Sequence, residues 1–349
     1  MKKALIICII IFVVSVVAFG VSVAATGLRE GNFAVAIGLD KVLDKDFDID
    51  TDLGERATKH FDFANSVNDI ELDITSSTTL VTVGDVDKIT VDYTSDNRHN
   101  VSARVDGDKL VVEESTNFVV TFINWDFGDN DADLVITLPR KEYDDVTINA
   151  ASGEVEIKEL VSKNFDANSA SGNMNYNIFA EDIKISTLSG NVQLNNCTDR
   201  KAKKLKLTST SGDHSVSGFM TEKFAFESTS GCITADGISG EGEVDITSGE
   251  IELAYALWDN ELDINAVSGS IDVTLPFDSG VMVELSAASG GVDVLLGGKT
   301  EITVDGETGM ASGATETHLS GDCETGIIGG SNAHKVEINL MSGDVDIHN

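Results

Sequence analysis

Nine times between residues 152 and 343 the chain repeats one phrase: two apolar residues at alternate positions, a short polar bridge, Ser-Gly, then two more alternating apolar residues. IKISTLSGNVQL (183–194), LKLTSTSGDHSV (205–216), LDINAVSGSIDV (262–273) and VEINLMSGDVDI (336–347) are examples. The Ser-Gly pairs begin at 152, 171, 189, 211, 230, 248, 268, 289 and 342, so the first eight lie 18 to 22 residues apart. Such a period means one structural unit stacked many times. Alternation at period two describes strands whose every second side chain points inward. Strands of this kind, joined by short connections and lacking helical periodicity, build a β-solenoid whose coils pair as parallel strands about 4.8 Å apart. Right-handed winding is the default for parallel crossovers. Nine coils at that spacing give a rod on the order of 40 Å long. Ser-Gly reads as the corner. Glycine permits backbone angles closed to residues with a Cβ, and the serine hydroxyl is expected to bond locally to turn amides.

Aligning the coils on Ser-Gly assigns faces. The two outward positions after the corner are often acidic or amide: Glu154 and Glu156, Asn173 and Asn175, Asn191 and Gln193, Glu250 and Glu252, Asp344 and Asp346. Stacked in register they form a polar ladder, read as a solvated face or as one that contacts cations or glycans. Cys197 falls in the column of Leu160, Phe179, Phe219 and Ile238, so burial is expected for it, whereas Cys232 takes an outward slot. One inward and one outward cysteine cannot pair easily. His214 takes an inward slot that holds Val155, Val192, Ile251 and Ile271 in other coils.

The repeat loosens in two places. Arg200, Lys201, Lys203, Lys204 and Lys206 crowd the longest coil, as a solvated loop or a contact for an acidic partner. Residues 297–330 are Gly-rich and read as a long loop or two degenerate coils. These breaks are the better places to look for function, because the repeated serines are corner posts.

Ahead of the repeat, residues 61–140 alternate at period two, with Asp106-Gly107 as a hairpin turn and FVVTFINWDF (118–127) as core or cap. Residues 26–60 form an acidic stalk; the run Asp44, Asp46, Asp48, Asp50, Asp52 lacks the glycine and the bidentate glutamate of a calcium loop. Residues 1–25 comprise Met1-Lys2-Lys3 and 22 uncharged residues. As a helix these reach about 33 Å, enough to cross a hydrocarbon core of about 30 Å and long for a cleaved signal. Val23-Ala24-Ala25 would tolerate cleavage before Thr26, but an uncleaved single-pass anchor is favoured, with everything after it exported. The division is thus 1–25 anchor, 26–60 stalk, 61–140 antiparallel or mixed β region, and 141–349 solenoid.

The balance of 24 basic to 59 acidic residues gives a net charge of −35 and excludes nucleic acid as a partner. Zinc motifs, a nucleophile elbow and a phosphate loop are missing; Leu296-Gly297-Gly298-Lys299-Thr300 imitates the last of these without its first glycine. No catalytic, cofactor-binding or metal-binding residue is assigned, and no arginine follows Arg200 to serve a polysaccharide lyase. Leu138-Pro139 with residues 143–157 (YDDVTINAASGEVEI), echoed by Leu275-Pro276 with residues 281–294, resembles the start of the repeat in the bacterial putative-adhesin family of β-strand-repeat proteins, a domain family of unknown function. The resemblance implies an exported β-solenoid-like domain over about residues 61–349 and no catalytic residues. The expectation is therefore an all-β, non-enzymatic, membrane-tethered extracytoplasmic protein, an adhesin or a scaffold for envelope binding or sensing, with an envelope glycan or envelope protein as partner. A carbohydrate-active enzyme on a β-helix is the alternative.

Overall fold

The computed structural model describes residues 57–95, 99–116 and 133–276, together with the strands between 281 and 348. All 26 described elements are strands. The apolar run of residues 4–25, the acidic run of 44–52 and the FVVTFINWDF segment lie outside the described residues. Among those described, no helix is long and apolar enough to cross a membrane.

In chain order, β1 (Ala57–Ala64) is followed by β2 (Asp69–Ile74) and β3 (Thr78–Gly84), which flank a corner at residues 75–77. Next come β4 (Lys88–Ser95), β5 (His99–Asp106), β6 (Lys109–Thr116) and β7 (Asp133–Pro139). The coils proper run through β8 (Glu142–Ala150), β9 (Glu154–Ser169), β10 (Asn173–Thr187), β11 (Val192–Asn196), β12 (Ala202–Ser209), β13 (Asp213–Ser217) and β14 (Met220–Ser228). They continue through β15 (Cys232–Ile246), β16 (Glu250–Tyr255), β17 (Leu262–Ala266) and β18 (Ser270–Thr274). Strands running into a Ser-Gly corner pair with one another in parallel as a leading sheet, as in β12 with β14; strands leaving it pair likewise as a trailing sheet, as in β11 with β13. The expected β-solenoid is present, with about seven turns.

Each coil turns four apolar side chains into the space between the sheets. Ile183, Ile185, Val192 and Leu194 serve one coil and Leu205, Leu207, His214 and Val216 the next, all at most 2% exposed. A coil alone would leave two strand edges unpaired and half its apolar surface wet. Stacking removes both costs at once.

The corner explains the repeated dipeptide. The seven corner glycines of the repeat, Gly153, Gly172, Gly190, Gly212, Gly231, Gly249 and Gly269, have φ between +111° and +153°. A Cβ on Gly172 would lie 1.9 Å from the Gly153 carbonyl oxygen, and one on Gly190 would lie 2.1 Å from that of Gly172. Glycine is required both by its backbone angle and by the backbone beneath it. The serines act differently from the expected local bond to turn amides. Ser189 donates through both N–H and Oγ to the Ala170 carbonyl of the coil before, at 3.0 and 3.3 Å. Ser152, Ser171, Ser211 and Ser230 repeat the pattern. The hydroxyl is therefore a second inter-coil hydrogen bond.

At the first corner, Thr75-Ser76-Ser77, the acceptor comes from the layer of β6 and is mainly a side chain. That side chain is Glu114, only 7% exposed. One of its carboxylate oxygens accepts the N–H groups of Thr75, Ser76 and Ser77 at 2.8, 3.0 and 3.2 Å, and the other accepts Ser77 Oγ at 2.8 Å. A carboxylate thus accepts here what backbone carbonyls accept at the later corners, and the Glu114 carbonyl adds a bond from Thr75 Oγ1 at 3.1 Å.

Both ends of the stack are laid out of sequence. Within the region expected to be antiparallel or mixed, β1–β4, β4–β7 and β5–β6 are antiparallel, the last joined at Asp106-Gly107 as predicted. Yet β2 and β3 form a coil inserted in parallel between β6/β7 and β8/β9. At the far end, β19 (Val281–Ala287) and β20 (Gly291–Leu296) do not stack on β17 and β18. The intervening layer is β25 (His334–Leu340) and β26 (Asp344–His348), parallel to both neighbours. The loop or degenerate coils expected over 297–330 are instead β21 (Lys299–Val304), β22 (Glu307–Ser312), β23 (Thr315–Ser320) and β24 (Cys323–Ile328), whose pairings are antiparallel and cap the stack.

Two substitutions test the corner. Gly190→Ala should cost about 3 kcal/mol or more by chemical denaturation, against roughly 1 kcal/mol for Gly107→Ala, whose added methyl meets open space. Glu114→Ala should cost about 3 kcal/mol by leaving three N–H groups without an acceptor, and Glu114→Gln distinctly less.

Candidate binding surfaces

The trailing sheet presents the expected ladder. Glu154, Asn173, Asn191, Asp213, Cys232, Glu250 and Ser270 share one register column, and Glu156, Asn175, Gln193, Ser215, Thr234, Glu252 and Asp272 share the next. With strands about 4.8 Å apart this is a ruled face, and its rungs from Glu154 to Thr234 line a shallow depression. Amides fill the second and third rungs, between Glu154 and Glu156 on one side and Asp213 on the other, and Glu250, Glu252 and Asp272 stand towards the far end. Asn191 Oδ1 accepts the Asp213 N–H at 3.0 Å, so part of the ladder braces neighbouring coils.

The leading sheet is zoned by charge. Nearest the first corner are Asp69, Glu71, Asp145 and Asp166, followed by Lys184, Lys204, Lys206 and Lys223, then Glu241, Glu243 and Asp263. Beside them runs an inter-coil amide ladder: Asn149 Nδ2 donates to Asp73 at 2.9 Å, and Asn265 Nδ2 to Asp245 at 3.0 Å.

The basic cluster is more deeply built in than a solvated loop. Lys203, Lys204 and Lys206 lie within β12. The Arg200 guanidinium stacks 4.4 Å above the Phe179 ring and pairs with Glu142 at 2.7 Å. Lys203 pairs with Glu181 at 2.7 Å, and Lys206 with Glu227. The Lys203 contact lowers the Glu181 carboxyl below its ordinary range and raises the lysine. Three of the five cations therefore tie one coil to others.

A model of the Toastrack DUF4097 family matches residues 67–348. The chain belongs to that family. Similar solved structures include a putative adhesin from Parabacteroides merdae ATCC 43184, 12% identical with a TM-score of 0.45, covering 84% of this chain and 96% of that one. A putative adhesin from Parabacteroides distasonis ATCC 8503 is 16% identical with a TM-score of 0.36, covering 84% and 97%. A putative lipid binding protein from the same organism is 12% identical with a TM-score of 0.31, over the same shares. No curated protein matches the chain.

Within this Toastrack chain the remaining singled-out residues are placed as follows. Cys197 is only half-buried, its Sγ 3.7 Å from the Leu160 carbonyl, so the expected core position is corrected. The coil leaves the solenoid edge at Thr198, which uncovers it. Cys232 sits on the outer ladder beside Glu250, and both cysteines are free thiols whose ionisation burial pushes up. Cys323 lies outside the residues whose side chains are described. Among the described residues no cluster of three metal-ligating side chains occurs. Glu159, in a left-handed conformation (φ 57°), stands in a bulge, and Arg140 holds its carboxylate at 2.9 Å. Glu114 and Glu159 escaped sequence reasoning because neither lies on the repeated phrase.

His214 is 2% exposed, as its slot predicted, with Nε2 2.6 Å from Ser209 Oγ and Nδ1 without a hydrogen-bond partner. Burial lowers its pKa to about 4. The unfolded chain, with an ordinary histidine, binds the proton first, so stability is full above about pH 6.5 and falls as pH drops towards 4. His214→Val should flatten that slope and raise stability at pH 4.5 by on the order of 2 kcal/mol, with little change in the slope above pH 7, as read by urea denaturation across pH.

Proposed function

We propose that this Toastrack chain is a non-enzymatic scaffold at the cell envelope, tethered through residues 4–25 with the solenoid outside, and that the trailing-sheet ladder binds an envelope glycan. The ladder carries the reading. A ruled face of amides and acids presents hydrogen-bonding groups at a fixed repeat, and a repeating polymer can meet them one unit after another. The excess of acid repels polyanions and leaves neutral or cationic glycans as fitting partners. An apolar run long enough to cross a bilayer supports the tether.

Two measurements test this. The protein should sediment with membranes, be cut by protease added to intact cells, and become soluble when residues 4–25 are deleted; cytoplasmic protein protected from protease would defeat the placement. Binding of the purified solenoid to isolated envelope glycan should fall about tenfold in Asn175→Ala with Gln193→Ala, the equivalent of one or two lost hydrogen bonds, at unchanged Tm. Equal binding by that variant would remove the ladder from the mechanism.

A further inference from the structure

The other face of the solenoid carries a separate feature. In the leading sheet one outward column reads Lys184, Lys206, Ala225, Glu243, Asp263 in register. Ala225 is the one short side chain there, and it falls where the basic band meets the acidic zone. The result is a depression of about 440 Å³ with Lys204, Lys206 and Lys223 on one wall and Glu241, Glu243 and Glu261 on the other. We propose that this depression is a binding site for a dipolar peptide segment, an extended stretch of a partner protein carrying one acidic and one basic side chain.

The charges decide the ligand class. Two of the lysines are already engaged, Lys206 with Glu227 and Lys223 with Glu241 at 2.7 Å. Lys204, Glu243 and Glu261 take part in no ion pair among the described residues and are exposed. They supply one open cationic and two open anionic positions on opposite walls. A simple anion that reached Lys204 would sit against the acids, and a simple cation at Glu243 would sit against the lysines. A ligand carrying both charges satisfies both walls.

Spacing then decides the source. Lys204 and Glu243 are two strands across and two residues along from each other, a diagonal of about 12 Å. A phosphocholine headgroup or a free amino acid holds its charges a few bonds apart and cannot span that gap. An extended peptide places side chains i and i+2 on one face about 7 Å apart, and a glutamate and a lysine reach the remainder. The Ala225 methyl leaves room for the backbone between them. A second copy of this chain is opposed by its net charge of −35.

The test is fluorescence anisotropy of the purified protein with labelled Ala-Glu-Gly-Lys-Ala and Ala-Lys-Gly-Glu-Ala peptides, end-blocked, at low ionic strength. At least one order should bind, weaken with added salt, and lose about tenfold or more when its Glu or Lys becomes Gln. Lys204→Glu, at an exposed position, should abolish binding at unchanged Tm, and Ala225→Leu should do so by filling the depression. Should Ala225→Leu fail to fold, Lys204→Glu decides. The proposal is overturned if neither peptide binds, if the singly charged peptides bind equally well, or if Lys204→Glu binds like the wild type. Displacement by phosphocholine would overturn it in favour of a headgroup site. A Lys204-dependent dimer in sedimentation velocity would overturn it in favour of self-association.

Discussion

Everything in this structure depends on how closely one coil can approach the next at the corner. The sheets alone would set the spacing through their hydrogen bonds, but a corner with any side chain would hold the coils apart at one edge and splay the stack. Seven corner glycines, six of them packed on the carbonyl of the glycine below and Gly153 on that of Ser77, bring the corner to the same separation as the strands. Five of the corner serines then use that closeness, adding a hydroxyl bond beside the backbone bond. Glu114 shows the same constraint, since the first corner too needs an acceptor beneath its N–H groups.

Much of this was legible in the sequence because the repeat is periodic in two ways at once. Period two gives the faces, and the spacing of Ser-Gly gives the register. Together they place Asn175 over Glu156 and His214 among Val192 and Ile233, as the strand pairings do. What stayed hidden is what breaks the period. Glu114 works through its side chain on a turn 37 residues away in sequence, and nothing local announces it. Arg200 and its lysines read as a loop because charge runs are usually solvated, whereas here acids on other coils lie in register to receive them. Cys197 was misplaced because the edge of the solenoid departs from the column that its position implied.

The two outer faces divide the work that the fold leaves over. The inward positions are fixed by packing and the corners by backbone contact, so only the outward positions are free to vary from coil to coil. On the trailing sheet that freedom yields amides flanked by acids. On the leading sheet it yields alternating zones of charge with one notch at Ala225. The solenoid therefore presents two chemically distinct surfaces on one rigidly stacked backbone pattern, and each of the two proposed sites lies on one of them.

The non-sequential layers at the far end bear on how such a rod is assembled. A ribosome delivers β19 to β24 before β25 and β26, so the cap exists before the layer that belongs beneath it. Until residues 334–348 arrive, β17 and β18 present bare parallel edges, and the cap has nothing to sit on. Strand edges of that kind recruit other strands. The nascent solenoid is therefore open to mispairing until β25 and β26 arrive to fill the layer between β17/β18 and β19/β20.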